Sequence, residues 1–124
     1  MNWHFLSAGI SISVLAFAAS ALASEADDSR AFIKGCQALH ARLVARSNAP
    51  ETFYETYCLG YLSGFRDEAQ LERSGHYCIP SNIPLSTLVG VYVEWADSNR
   101  SEWSKPVFAT VGRAMAVNYP CRSS

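Results

Sequence analysis

Four cysteines, Cys36, Cys58, Cys78 and Cys121, all downstream of an apolar leader, constrain this 124-residue chain more than any other feature. The stretch from Leu6 to Leu22 carries no charged side chain, and Ala21-Leu22-Ala23 is an A-x-A pattern. Together they read as a signal peptide over residues 1–23, cleaved after Ala23. Its leading segment departs from the usual form, because His4 and the terminal amine stand where Lys or Arg is common. The apolar run is at the short end of the ~20 residues that a membrane span needs, so no stable anchor is expected after cleavage. Export places residues 24–124 in an oxidising compartment. An even number of cysteines in a small exported domain implies a disulfide framework.

The remaining pattern is helical. From Asp28 to Arg46, Phe32, Cys36, Leu39 and Leu43 recur at helical spacing, with Ile33 and Val44 widening the stripe and Asp28 or Ser29 as cap. Ser47-Asn48-Ala49-Pro50 breaks this helix, and Pro50 suits the first turn of a second. There Phe53, Tyr57, Tyr61 and Phe65 recur at intervals of four, and Ser74-Gly75 ends the run. Gly60 and Gly64 inside it each cost about 1 kcal/mol relative to Ala. They imply the close approach of another backbone, either a neighbouring helix or a partner. Pro84 opens a third helix with Leu85, Leu88, Val89, Tyr92, Trp95 and Ala96 inward. After the polar loop Asp97-Ser98-Asn99-Arg100-Ser101, a fourth runs from Lys105 or Pro106 to Asn118. Its expected cap is Ser104, its inward residues Phe108, Val111, Met115 and Tyr119, and its stop Tyr119-Pro120-Cys121. The expected fold is therefore all-α, a compact domain of four to five helices stapled by two disulfides.

Four cysteines allow three pairings. In an antiparallel helix pair the start of the first helix lies near the end of the second, which favours Cys36 with Cys78 and leaves Cys58 for Cys121. The other two arrangements stay open.

Little in the chain supports catalysis. Gly60-Tyr61-Leu62-Ser63-Gly64 lacks the G-x-S-x-G order and falls within a helix rather than on a strand-to-helix elbow. Asp67, Glu68 and Glu72 are interspersed with Arg66 and Arg73, as on a solvated helix face, and no C-x-x-C supports thiol redox catalysis. Cys36, His40, His76 and Cys78 have the ligand types of a zinc site, but disulfide formation would consume both cysteines. No catalytic residue, cofactor or metal is expected. The 10 basic and 11 acidic residues are mixed along the chain, giving a net charge of −1 and no footprint for nucleic acid.

Three elements in order resemble a known family: Cys58-Leu59-Gly60-Tyr61-Leu62-Ser63-Gly64, then Cys78-Ile79-Pro80, then Tyr119-Pro120-Cys121, with a helix of the Leu88-to-Trp95 type between the last two. This order is similar to the Rap/Tai-type immunity proteins of bacterial type VI secretion, over nearly all of residues 24–124. The resemblance implies a periplasmic, non-enzymatic helical protein, usually a homodimer, that binds and blocks a peptidoglycan amidase effector. The chain departs from the family in carrying Asn99-Arg100 where a His-Pro is common, and Pro84 where a Thr opens the third helix.

A second class is compatible with a small disulfide-bonded helical protein: a periplasmic acid-stress chaperone that exposes apolar surface as carboxylates protonate. For binding an amidase the candidate residues are Asn99, Arg100, Glu102 and Trp103 in the Asp97-to-Ser104 loop, together with exposed parts of the second helix in a dimer, since loops on a rigid scaffold carry recognition and Arg and Trp are frequent interface anchors. Trp103 has two expected roles: a staple at the start of the fourth helix, or an exposed anchor.

Overall fold

The computed structural model describes residues 28–71 and 76–122. The expected signal peptide and its cleavage site lie outside these residues, as does the Ser74-Gly75 stop. Four helices follow in order: α1 (Arg30–Ala45), α2 (Phe53–Leu71), α3 (Leu85–Ser98) and α4 (Val107–Asn118), with a single 3-10 turn at Arg100–Glu102 before α4. There is no strand among the described residues, and no helix among them is long and apolar enough to cross a membrane. The all-α expectation holds. α1 and α2 form a hairpin, α3 packs against both, and α4 packs against α3.

The hairpin's register comes from the shortest side chains in it. Gly35 faces α2 so closely that a Cβ there would lie 2.5 Å from the Tyr54 carbonyl oxygen and 2.7 Å from Tyr54 Cβ. Next to this contact Cys36 is bonded to Cys58, both sulfurs fully buried. The second bridge is Cys78–Cys121. The Cys36–Cys78 and Cys58–Cys121 pairing is thus incorrect, for a geometric reason. The first turns of α2 lie against the Gly35–Cys36 stretch of α1, with Tyr54 at Gly35 and Cys58 at Cys36, so the start of α2 and not the segment after it meets Cys36. α2 is 19 residues long against 16 for α1 and runs past the start of α1, carrying Cys78 away from Cys36. The bridges span separations of 22 and 43 residues, and loop entropy assigns them roughly 3 and 4 kcal/mol.

Gly60 and Gly64, read as close-approach sites, have no atom within 4 Å of an added Cβ. That role belongs to Gly35, and in lesser degree to Gly90 of α3, where an added Cβ would lie 3.2 Å from the His40 imidazole.

α1 ends in a Schellman turn: Arg46 takes a left-handed conformation at φ 51°, its N–H donates to the Leu43 carbonyl, and the Ser47 N–H reaches back to the Arg42 carbonyl. At the other end Asp28 Oδ1 accepts the Arg30 N–H at 2.7 Å, so Asp28 acts on the first turn. Ser29 is instead buried and turned inward. Its hydroxyl donates to the Lys105 carbonyl at 2.6 Å and lies 3.0 Å from the Thr110 hydroxyl, which is 2.8 Å from the Tyr92 hydroxyl. The Ser29 N–H is shared between the Trp103 and Lys105 carbonyls. This chain of hydroxyls ties the start of α1 to α3 and to the entrance of α4, and satisfies three polar groups that burial would otherwise leave costly. Burial pushes the Tyr92 phenol up to about 12.

The buried faces of α1 and α3 largely follow the sequence pattern: Phe32, Ile33, Cys36 and Leu39 from α1, and Leu88, Val89, Tyr92, Trp95 and Ala96 from α3. Leu43 and Val44, past the hairpin contact, are exposed. α2 and α4 differ more. α2 buries Glu55, Cys58 and Leu62, and the aromatic series one residue away falls on its flank. α4 buries Val107, Thr110, Val111, Ala114 and Met115, leaving Phe108 67% exposed. Its first residue follows Pro106, whose carbonyl accepts from Ala109 and Thr110, so Ser104 is not the cap.

The two sets of glycines should respond in opposite directions. Gly35→Ala is expected to lower the unfolding free energy by about 1–3 kcal/mol, because a backbone must move to admit the methyl. Gly60→Ala should raise it by about 0.5–1 kcal/mol, the gain of Ala over Gly at an open helical position. Urea unfolding of the two variants beside the parent checks both signs.

Candidate partner-binding surface

The aromatic side chains turned out of the α2 core face form an unbroken row. Phe53 stacks near Tyr57 at 6.3 Å between ring centroids, Tyr57 meets Tyr61 edge-on at 5.9 Å, Tyr61 lies 6.4 Å from Phe65, and Phe65 stacks on Tyr77 at 4.9 Å. Spacing of four residues along a helix makes each ring the neighbour of the next. The row grades from open to covered. Phe53 is 76% exposed, Tyr54 and Tyr57 are exposed, and Tyr61 and Phe65 are half-buried against the core. Phe32 of α1 supports the middle, with its ring 5.1 Å from Tyr57 and 5.3 Å from Tyr61.

At its covered end the row becomes one wall of a groove of about 710 Å³ between α2 and α4. Phe65 and Tyr77 stand on one side and Phe108 on the other, with Ala109, Gly112 and Ala116 among the lining residues from α4. Small residues leave the space open: a Cβ on Gly112 would only reach van der Waals contact with Phe65, at 3.9 Å. Glu68, Arg113 and the Glu102–Lys105 pair supply charge around this apolar interior, and His76 also lines it.

Glu102 belongs to the loop between α3 and α4, so the groove and the loop singled out in the sequence are parts of one surface. Within that loop most side chains are engaged in holding it. Asn99 Nδ2 donates to the Trp95 carbonyl at 2.7 Å. Trp103 is half-buried against the core, and its indole N–H donates to the Ala96 carbonyl at 2.8 Å, fastening the loop onto the end of α3. Of its two expected roles, the structure gives Trp103 that of a staple, directed at α3 rather than α4. Arg100 is exposed and lies over the Trp103 ring, its guanidinium carbon 5.2 Å from the centroid. Lys105 Nζ lies 2.6 Å from Glu102 Oε2 and holds the Glu102 carboxyl below its usual range. Thus Arg100 is the loop's open polar handle, and Asn99, Glu102 and Trp103 are its supports.

One functional support has no sequence signal. Glu55 sits in the first turn of α2, close in sequence to Phe53, Tyr54 and Tyr57, and is only 3% exposed. Arg42 Nε donates to its carboxylate at 2.6 Å, while the other guanidinium nitrogens donate to the Ala49 and Pro50 carbonyls. One cation thereby fixes the end of α1, the turn, and the first turn of α2. That hydrogen bond from Arg42 lowers the Glu55 carboxyl below the ordinary carboxylate value. An acidic residue in a solvent-facing helix pattern looks the same whether or not an arginine from another helix meets it.

The residues weighed for catalysis and metal binding are dispersed. Cys36 and Cys78 are each bonded to other cysteines, so the pair cannot join His40 and His76 as ligands. Asp67 is exposed and lies 3.5 Å from Arg66 Nε, as on an ordinary helix face. No group of three or more His, Cys, Asp or Glu able to hold a metal ion occurs among the described residues.

Compared with known proteins, residues 28–121 match the family model described as Rap1a immunity proteins. No curated protein and no solved structure gives a match.

The Arg42–Glu55 pair makes the exposed end of this surface sensitive to acid. A carboxyl with a lowered value in the fold contributes stability above the unfolded value of about 4.3, and that contribution is lost as pH falls through the lowered folded value. Melting temperature is expected to drop across this window in the parent chain. Glu55→Gln should melt lower than the parent at pH 7 but lose less on acidification; parallel pH profiles for the two would remove Glu55 from the explanation.

Proposed function

The chain belongs to the Rap1a immunity protein family, and we propose that it acts without catalysis of its own, by binding and blocking a cognate toxin effector through the α2–α4 groove and the adjoining loop. The observation that carries this reading is the family match over residues 28–121, which covers every described helix. The surface supports it on physical grounds. Exposed aromatic rings backed by a rigid helix lose little side-chain freedom on binding, and aromatic and Arg side chains are enriched among interface anchors. Phe108, which lines the groove, and Arg100, on the adjoining loop, present one of each.

The finer reading follows the family resemblance. We take the effector to be a peptidoglycan amidase delivered by type VI secretion, and the site of encounter to be the periplasm, where the two disulfides would persist. The open end of the aromatic row, around Phe53 and Tyr57, is then the face available for a homodimer, leaving the groove free. Asn99, Glu102 and Trp103 act in recognition by keeping the loop in one shape, and Arg100 contacts the effector directly.

Replacing Arg100 and Phe108 together with Ala should weaken the complex at least tenfold, about 1.4 kcal/mol, with little change in melting temperature because both side chains are exposed. Calorimetric titration against a candidate type VI peptidoglycan amidase measures it. Wild-type affinity in the double variant would exclude this surface, and no binding by the parent chain would exclude that effector.

A further inference from the structure

The two disulfides differ in access in a way that the binding function does not require. Cys36 and Cys58 are fully buried between α1 and α2, directly behind the Gly35 contact. Cys78 is exposed and Cys121 half-exposed, and their bridge borders a second cleft, of about 480 Å³, with Gln70, Tyr77, Ile79 and Pro80. A thiolate must reach a sulfur to exchange with it, so access controls which bridge reacts. No approach to Cys36–Cys58 exists without opening the hairpin.

The accessible bridge also occupies a controlling position. It joins the segment after α2 to the segment after α4, and the residue beside it, Tyr77, is the groove wall stacked on Phe65. Among the described residues one backbone hydrogen bond joins these two segments, from the Cys78 N–H to the Tyr119 carbonyl at 2.7 Å, while Gln70 Nε2 of α2 donates to the Ile79 carbonyl at 3.0 Å. Ile79 remains buried in the core.

We propose that Cys78–Cys121 is a thiol-addressable clasp, opened selectively by an external dithiol such as the C-x-x-C of a thioredoxin-like oxidoreductase, and that opening it frees Tyr77 from the groove wall while Cys36–Cys58 keeps the hairpin folded. In the first step the dithiol's thiolate attacks one protein sulfur, forming a mixed disulfide and releasing the other as a thiolate. Its second thiol then displaces the first sulfur. Two electrons pass to the protein, Cys78 and Cys121 end as thiols after taking up two protons, and the reductant ends as its own disulfide. The clasp acts on groove shape, whatever occupies the groove.

The test uses the full mature chain under native conditions with dithiothreitol, quenched at intervals by alkylation and read by peptide mass. Cys78 and Cys121 should be labelled at least about tenfold faster than Cys36 and Cys58. Amide exchange on the partly reduced protein should then rise at residues 76–78 and 119–122 and stay low in α1 and the first half of α2. The Cys78→Ser, Cys121→Ser double variant should show the same exchange pattern without any reductant. Equal labelling rates, earlier labelling of Cys36, or unchanged exchange around Tyr77 after Cys78–Cys121 is open would each overturn the proposal.

Discussion

The contact on which the architecture depends is the approach of α1 to the backbone of α2 at Gly35. With no Cβ there, the two helices close until Cys36 and Cys58 fall within bonding distance, and the bridge locks the rotation of α2 about its own axis. Once Cys58 faces α1, Leu62 must face the core and Glu55 must face Arg42. The aromatic series at 53, 57, 61 and 65, one residue out of phase, is then carried onto the flank. An exposed row of rings, ordinarily unfavourable in water, is thus a consequence of satisfying a tighter constraint next to it.

A second constraint acts at the N-terminus of α1. Ser29 is buried with its hydroxyl in line with those of Thr110 and Tyr92, and its N–H is shared by two carbonyls of the loop before α4. The loop is held from the other side by the Trp103 indole on Ala96 and by Asn99 on Trp95. A stretch of sequence that is polar and free of regular helix is accordingly anchored at several points. This suits recognition by a preorganised surface, since ordering a loop on binding would subtract from affinity.

Held this way, the surface joins stiff and adjustable parts. α2, α4 and the loop are fixed by buried bonds, whereas Tyr77 depends on a segment whose covalent tie lies in an open cleft. A protein that works by fitting one partner has reason to keep its helices rigid, and a single wall that can be released gives the fit a dependence on redox state.

The sequence by itself determined the helical class, the four helix positions, the inward faces of α1 and α3, and the presence of two bridges, because these follow from periodicity, breakers and cysteine number. Its ordered motifs also carried the resemblance to an immunity-protein family, and it is at that level that the match over residues 28–121 supports it. The tertiary structure alone decided which cysteines meet, which glycine admits a neighbour, and which way Phe53 and Phe108 turn. Helical spacing says that residues share a face without saying which face the core will take when two stripes lie one residue apart. Glu55 shows the same limit, since a carboxylate reads as solvated until an arginine 13 residues earlier is folded against it. Local pattern does not choose between the two roles of Trp103, because it does not say where the end of α3 lies. Each of these outcomes depends on the register between elements, which local sequence does not encode; between α1 and α2 the Gly35 contact sets it.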